Sequence, residues 1–180
     1  MIIQPVAIDA STLLNLFATG EIESILRSMP VQKFVCSVAA NEVLYLRHEE
    51  ADHAPELISI DPLVEQGVLT LARPESVEEE ALFVQFAGKI DDGEAMTLAL
   101  CVSRGYALAT DDRKARRIAA SMAEPIPLLA TSELLFHWFQ SNTITQDRIR
   151  EVLGAVELRA RFRPWPEYPL RDWWHRMLSI

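Results

Sequence analysis

Apolar residues in this chain come as short blocks separated by longer stretches with one apolar side, the alternation expected of buried strands and amphipathic helices. The run 2–8 reads as a first strand whose regular part begins after Pro5 and which ends at Asp9. Leu13, Leu14, Leu16 and Phe17 then form one side of a helix that Gly20 stops. A second short helix over 21–29 is closed by Pro30, and 34–36 is a second strand bounded by Ser37. The pattern predicts a helix over 38–47 that includes Glu42, a loop over 48–56, a turn or short helix at Asp61-Pro62 and a strand within 68–71. A helix over 75–87 turns Leu82, Phe83 and Phe86 inward, with Glu75, Glu78, Glu79 and Glu80 read as its watered face. Glu94 falls in the first turn of the next helix, whose apolar side is Ala95, Leu98, Ala99 and Val102. The strand 106–109 stops at Asp111-Asp112, a helix runs to Ser121, and 126–129 is the last strand. Thr131 is the expected cap of a helix over 133–140, and a further helix covers 143–161.

This order predicts an α/β fold, a three-layer α/β/α sandwich around a mainly parallel five-stranded sheet. The expected division is a domain over 1–140 and a C-terminal extension over 141–180, helical and then rich in Trp, Arg and Pro, packed on it. Trp165, Trp173 and Trp174 would make a sticky patch in water, so they are expected to be buried, either on the chain's own body or, preferably, in a homodimer contact; the functional alternative is that they stack on RNA bases beside Arg161 and Arg163.

Composition narrows the function. With 180 residues, 49% hydrophobic and 24% charged, the chain has the make-up of one globular domain. No run approaches the length of a membrane span and no basic flank precedes the first apolar block, so neither a membrane segment nor a signal peptide is expected and the expected location is cytoplasmic. Cys36 and Cys101 sit in apolar segments without CxxC spacing, and the four histidines show no HExxH pattern, which argues against a zinc site. The net charge of −9 argues against a broad nucleic-acid surface, but its distribution is uneven. Residues 1–100 hold 17 acids against 5 bases, while 101–180 hold 9 acids against 12 bases. An acidic centre with a basic rim suits a site that holds cations and receives a polyanion.

The acids have a common place in such a fold. Asp9, Glu42, Glu94, and Asp111 with Asp112 all fall at strand ends or in the helix that follows, which in a parallel sheet lie along one edge. Clustered carboxylates repel, and the natural counter-charge is a hard divalent cation, Mg²⁺ or Mn²⁺, able to support in-line attack on a phosphodiester. Other acidic α/β sites fit less well. A dehalogenase-type phosphatase needs an acid at Ser11, a phospho-receiver needs one at Ala10, and no phosphate-binding glycine loop occurs among six glycines.

The stretch from Asp9 to Leu16, then Asn41-Glu42-Val43, then Asp92-Gly93-Glu94-Ala95, then Ala109-Thr110-Asp111-Asp112-Arg113 resembles the motif order of a PIN domain over about residues 1–140. The resemblance implies a metal-dependent ribonuclease acting on RNA, of a kind that includes the VapC-like toxins of toxin–antitoxin pairs and that commonly dimerises. The Gly93-Glu94-Ala95 form of the third motif points to a branch apart from the best-known small toxins. It implies Asp9, Glu94 and Asp112 as ligands of Mg²⁺ or Mn²⁺, with Glu42 supporting a water or acting as base. The fourth acid is left open between Asp111 and Asp112, and Ser11 and Thr110 match hydroxyls that line the site. Arg113 and Lys114 are the expected RNA-backbone contacts, and an antitoxin protein is the expected partner if the chain is a toxin. The alternative is a catalytically inert PIN-like module that binds RNA or a protein.

Overall fold

The computed structural model describes residues 3–41, 44–46 and 54–179. Its elements are β1 (Val6–Ile8), α1 (Ala10–Ala18), α2 (Ile22–Ser28), β2 (Lys33–Cys36), α3 (Ser37–Ala40), β3 (Leu44–Leu46), β4 (Glu56–Ile58), α4 (Asp61–Glu65), β5 (Thr70–Ala72), α5 (Val77–Ala87), α6 (Asp92–Arg104), β6 (Ala107–Ala109), α7 (Arg113–Ala120), β7 (Leu128–Leu129), α8 (Thr131–Ser141), α9 (Gln146–Arg159) and α10 (Arg171–Leu178). Five strands form one parallel sheet in the order β5-β2-β1-β6-β7. The chain builds outward from β1 to β2 and β5, then returns to the other side of β1 for β6 and β7. The turning point lies between β1 and β6, where Val6, Ala7 and Ile8 pair with Ala107, Leu108 and Ala109. Parallel α/β sheets leave a crevice at the carboxyl ends of the strands at such a point.

Alternation along these strands divides the core in two. Val6, Ile8, Ala107 and Ala109 pack with Leu13, Leu16, Leu134, Trp138, Val152 and Val156, so α1, α8 and α9 cover one face. Ala7 and Leu108 point the other way, to Phe86, Ala95, Leu98, Ala115 and Ala119 of α5, α6 and α7. The result is the α/β/α sandwich that the pattern predicts. Cys36 and Cys101 are buried in this core, as expected. No helix among the described residues is long and apolar enough to cross a membrane.

Three local expectations are corrected. The predicted helix over 38–47 is only the short α3, followed by β3, which pairs antiparallel with β4 in a separate hairpin. Short apolar runs satisfy both periods, and here Leu46 is buried while Tyr45 is exposed, the alternation of a strand. Glu79 does not belong to a watered face. It is 4% exposed, and its carboxylate takes the Arg104 guanidinium in two bonds, Nε to Oε1 at 2.6 Å and Nη2 to Oε2 at 2.9 Å. Helical spacing puts Glu79 among acids, but α6 packs along α5 and brings Arg104 to it. Thr131 is the first residue of α8 rather than its cap, and its hydroxyl turns to Asp111.

The C-terminal segment folds back on the body. Trp173 packs edge-on against Phe136 of α8, with ring centroids 5.2 Å apart. Trp174 is fully buried and its indole N–H donates to Glu157 of α9 at 3.0 Å. Two of the tail's three tryptophans are thus buried within the chain, and their burial needs no second copy.

Candidate active site

Asp9 follows the last residue of β1 and is the N-cap of α1. Its Oδ1 accepts from the Thr12 backbone N–H and the Ser11 hydroxyl, both at 2.8 Å, and its Oδ2 accepts from the Thr110 hydroxyl beyond β6. An extended backbone at a strand's end turning into a helix aims the carboxylate at the crevice while satisfying the helix's first donors. Thr110 also accepts the Asp112 backbone N–H at 3.1 Å, so one hydroxyl ties the ends of β1 and β6 together. Asp9 is 1% exposed, and burial pushes its carboxyl up to about 6, with nearby Asp111 adding to the shift and the hydrogen bonds from Thr110, Thr12 and Ser11 opposing it.

Glu94 enters from the first turn of α6. Burial raises its carboxyl to about 7, followed in effect by the charges of Asp112, Asp9 and Asp91. Glu94 of α6 thus stands within reach of the charges at the end of β1 and at the β6–α7 junction. Asp112 caps α7, its Oδ1 accepting from the Lys114 and Ala115 N–H groups at 2.7 Å each, while Oδ2 has no donor among the described residues.

Asp111, its chain neighbour, is placed differently. It accepts from the Asn15 side-chain amide at 2.7 Å, from the Thr131 N–H at 3.0 Å, and from the hydroxyls of Thr131 and Tyr168. Four donors from α1, α8 and the C-terminal segment converge on this one buried carboxylate. Asp111 therefore holds the crevice's walls together, and Asp112 is the acid with an oxygen to offer.

Of the residues singled out in the sequence, Ser11, Glu94, Asp111, Asp112 and Arg113 line one crevice, and the buried Asp9 and Thr110 are tied to it through the Ser11 hydroxyl and the Asp112 N–H. Lys114 lies in an adjoining cleft beside Asp91 and Glu94. Glu42 lies outside the described residues. Arg116 faces inward, its guanidinium donating to the Thr110 and Leu129 carbonyls at 2.9 and 2.8 Å, and fixes the ends of β6 and β7. Asn15 and Tyr168 are the residues that sequence reading missed. Asn15 did carry a signal, an amide inside the apolar run Leu13-Leu14-Asn15-Leu16, where a buried polar group demands a partner. Tyr168 carried none, because its partner is 57 residues away.

Among the described residues no three His, Cys, Asp or Glu side chains stand close enough to form a ready cation cage. The donors that do face the crevice are hard carboxylate oxygens on a few side chains, a set that suits an ion keeping most of its water. No curated protein and no solved structure gives a significant match to the chain. A family model described as a PIN domain matches residues 5–167, nearly the whole length, and includes Trp165 but stops one residue before Tyr168. With the strand order, the acids at the turning point of the sheet and that match in agreement, the chain belongs to the PIN domain family, a family of nucleases.

Proposed function

We propose that the protein is a ribonuclease that uses Mg²⁺ or Mn²⁺ to hydrolyse RNA phosphodiester bonds. The observation that carries this reading is the gathering of Asp9, Glu94 and Asp112 at one place, with Asp9 and Glu94 both held well above the ordinary carboxylate range by burial first, and Glu94 further by the charges of Asp112 and Asp9. Such a cluster costs stability unless a cation relieves it, and perturbed carboxylates in a cleft mark functional sites. A divalent ion there would activate water and neutralise charge gathering on the phosphate. Asp9 and Glu94 supply direct ligands, and Asp112 supplies its open Oδ2 directly or through water. Ser11 and Thr110 fix the Asp9 carboxylate through their hydroxyls, so that ion binding needs little rearrangement. In this reading Glu42 supports the attacking water or takes its proton.

The test is cleavage of single-stranded RNA with and without millimolar Mg²⁺ or Mn²⁺, paired with thermal melting. Metal-dependent cleavage is expected, and Tm should rise with metal concentration because only the folded state holds the ion. Cleavage that persists in EDTA, or binding of RNA with no cleavage at any metal concentration, would reject the reading, the second in favour of a binding module.

The two adjacent acids should separate cleanly. Asp112→Asn keeps the cap, because Asn is as good an N-cap as Asp, and removes the charge: cleavage should fall on the order of a hundredfold or more with stability changed by under about 1 kcal/mol. Asp111→Ala should instead lower stability by about 3 kcal/mol, since buried donors of Asn15, Thr131 and Tyr168 lose their acceptor. Urea melts and initial rates on both variants check this, and equal stability losses would refute the division of roles.

A further inference from the structure

Two clefts meet at the acidic centre. One, of about 470 Å³, has Ser11, Glu94, Asp112, Arg113, Arg161 and Trp165 among its walls. The other, of about 360 Å³, shares Glu94 and Asp112 and carries Lys89 and Lys114. The acids thus lie midway along a path with cations on both sides, the charge order that suits a strand of nucleic acid crossing a cation site.

The larger cleft has a wall built from the C-terminal segment. Trp165 stands edge to face with Tyr168, ring centroids 4.4 Å apart, and Tyr168 in turn donates to Asp111. The indole is thereby fixed relative to the neighbouring Asp112. Its ring lies 4.7 Å from the guanidinium of Arg113, the residue that follows Asp112. A planar cation on an indole is the arrangement that a nucleobase replaces or extends by stacking.

Arg161 adds a second, independent observation. It follows the end of α9 with φ of 55°, in the left-handed region where glycine is the usual residue and a β-carbon is strained. Its side chain is exposed and makes no hydrogen bond or ion pair among the described residues. A residue strained in the backbone and unused in the fold, yet lining a cleft with the acids, is a candidate for function.

We propose that residues 160–168 form a subsite for single-stranded RNA, in which Trp165 stacks on a base next to the phosphate under attack and Arg161 and Arg113 hold the phosphates beside it. This subsite rests on the nuclease reading for its position relative to the chemistry, but its binding can be read without metal. A duplex buries its base faces and cannot use the indole, so the wall selects unpaired strands.

The test is fluorescence anisotropy in EDTA at low salt with a labelled single-stranded RNA of about eight nucleotides, within the span that such grooves cover. Trp165→Ala should weaken binding about five- to a hundredfold and leave the salt slope unchanged, while Trp165→Phe keeps most of the affinity. Arg161→Gly should weaken binding and flatten the salt slope by about 0.7, one phosphate's worth. Its Tm should hold or rise by about 2–4 °C, because the left-handed strain is relieved. That combination, weaker binding with no loss of stability, is one that a merely structural role would not produce. The proposal is overturned if the wild-type protein does not bind the strand, if Trp165→Ala and Arg161→Gly bind as tightly as it does, if Arg161→Gly loses stability in step with binding, or if an unlabelled duplex competes as well as the single strand. Binding losses as expected in a protein that never cleaves would remove the nuclease reading and leave the subsite. Cleavage without those losses would do the reverse.

Discussion

Asp9→Asn is expected to lower RNA cleavage on the order of 10³-fold and, in metal-free buffer at pH 8, to make the fold more stable. The first effect follows from removing a direct ligand whose ion supplies several kcal/mol of charge stabilisation. The second follows from the sign of the Asp9 shift. Its carboxyl titrates near 6 in the fold against an ordinary 3.8, so the folded state holds the proton more tightly than the unfolded one. Stability is therefore fully present below pH 3.8 and is lost as pH rises through 6, by about 3 kcal/mol for a shift of this size. Asn keeps the oxygen that caps α1 and lacks the charge. The gain in Tm over wild type should be largest at pH 8 and vanish near pH 3.5, and addition of Mg²⁺ should raise the wild-type Tm but not that of the variant. Full activity at millimolar Mg²⁺, or a lower Tm than wild type at pH 8 without metal, would remove Asp9 from the site.

Arg104→Met should be the most destabilising of the changes considered, at about 3–5 kcal/mol by urea melts, although it lies at the far end of α6 from Glu94. The Arg104 guanidinium holds the Glu79 carboxyl down at about 2 and also donates to the Arg73 carbonyl at 2.7 Å. Removing it leaves a buried carboxylate with only the Glu75 N–H at 2.7 Å and the Ser103 side chain to hold it. This clamp joins α5 to α6 and so fixes the helix that presents Glu94. Because the folded value of Glu79 is depressed, the pair's contribution is present above about pH 4.5 and lost as pH falls through about 2, and the variant should lack that acid-labile portion. Replacing both partners with apolar residues of similar size should recover most of the loss. A cost under about 1 kcal/mol for Arg104→Met would show that the pair contributes little.

What made the site readable before the fold is the local character of its first layer. Each of Asp9, Glu94 and Asp112 sits where a strand ends or a helix begins, and these junctions are written in short-range pattern: an apolar block, an acid, then helical spacing. Parallel pairing then leaves little choice, since strands joined by helices must all present their carboxyl ends on one edge. The error at residues 38–47 came from the same reliance on local pattern. Leu44 and Leu46 fit a helix and a strand equally, and pairing with the distant 56–58 decided for the strand.

Local spacing was enough for the α/β alternation, the five strands of the parallel sheet, and the convergence of Asp9, Glu94, Asp111 and Asp112, because each follows from the pattern within one strand–helix unit; it was not enough for the β3–β4 hairpin. Packing between elements, by contrast, surrounded Asp111 with donors while leaving Asp112 an open oxygen, turned Glu79 inward to Arg104, and set Trp165 beside Arg113. Each of those outcomes depends on partners from other elements: Asn15, Thr131 and Tyr168 for Asp111, α6 for Glu79, and the returning C-terminal segment for Arg113. A side chain's charge and period state what it needs, but the donor that satisfies it is chosen by packing across the sheet, and no local pattern encodes that distance.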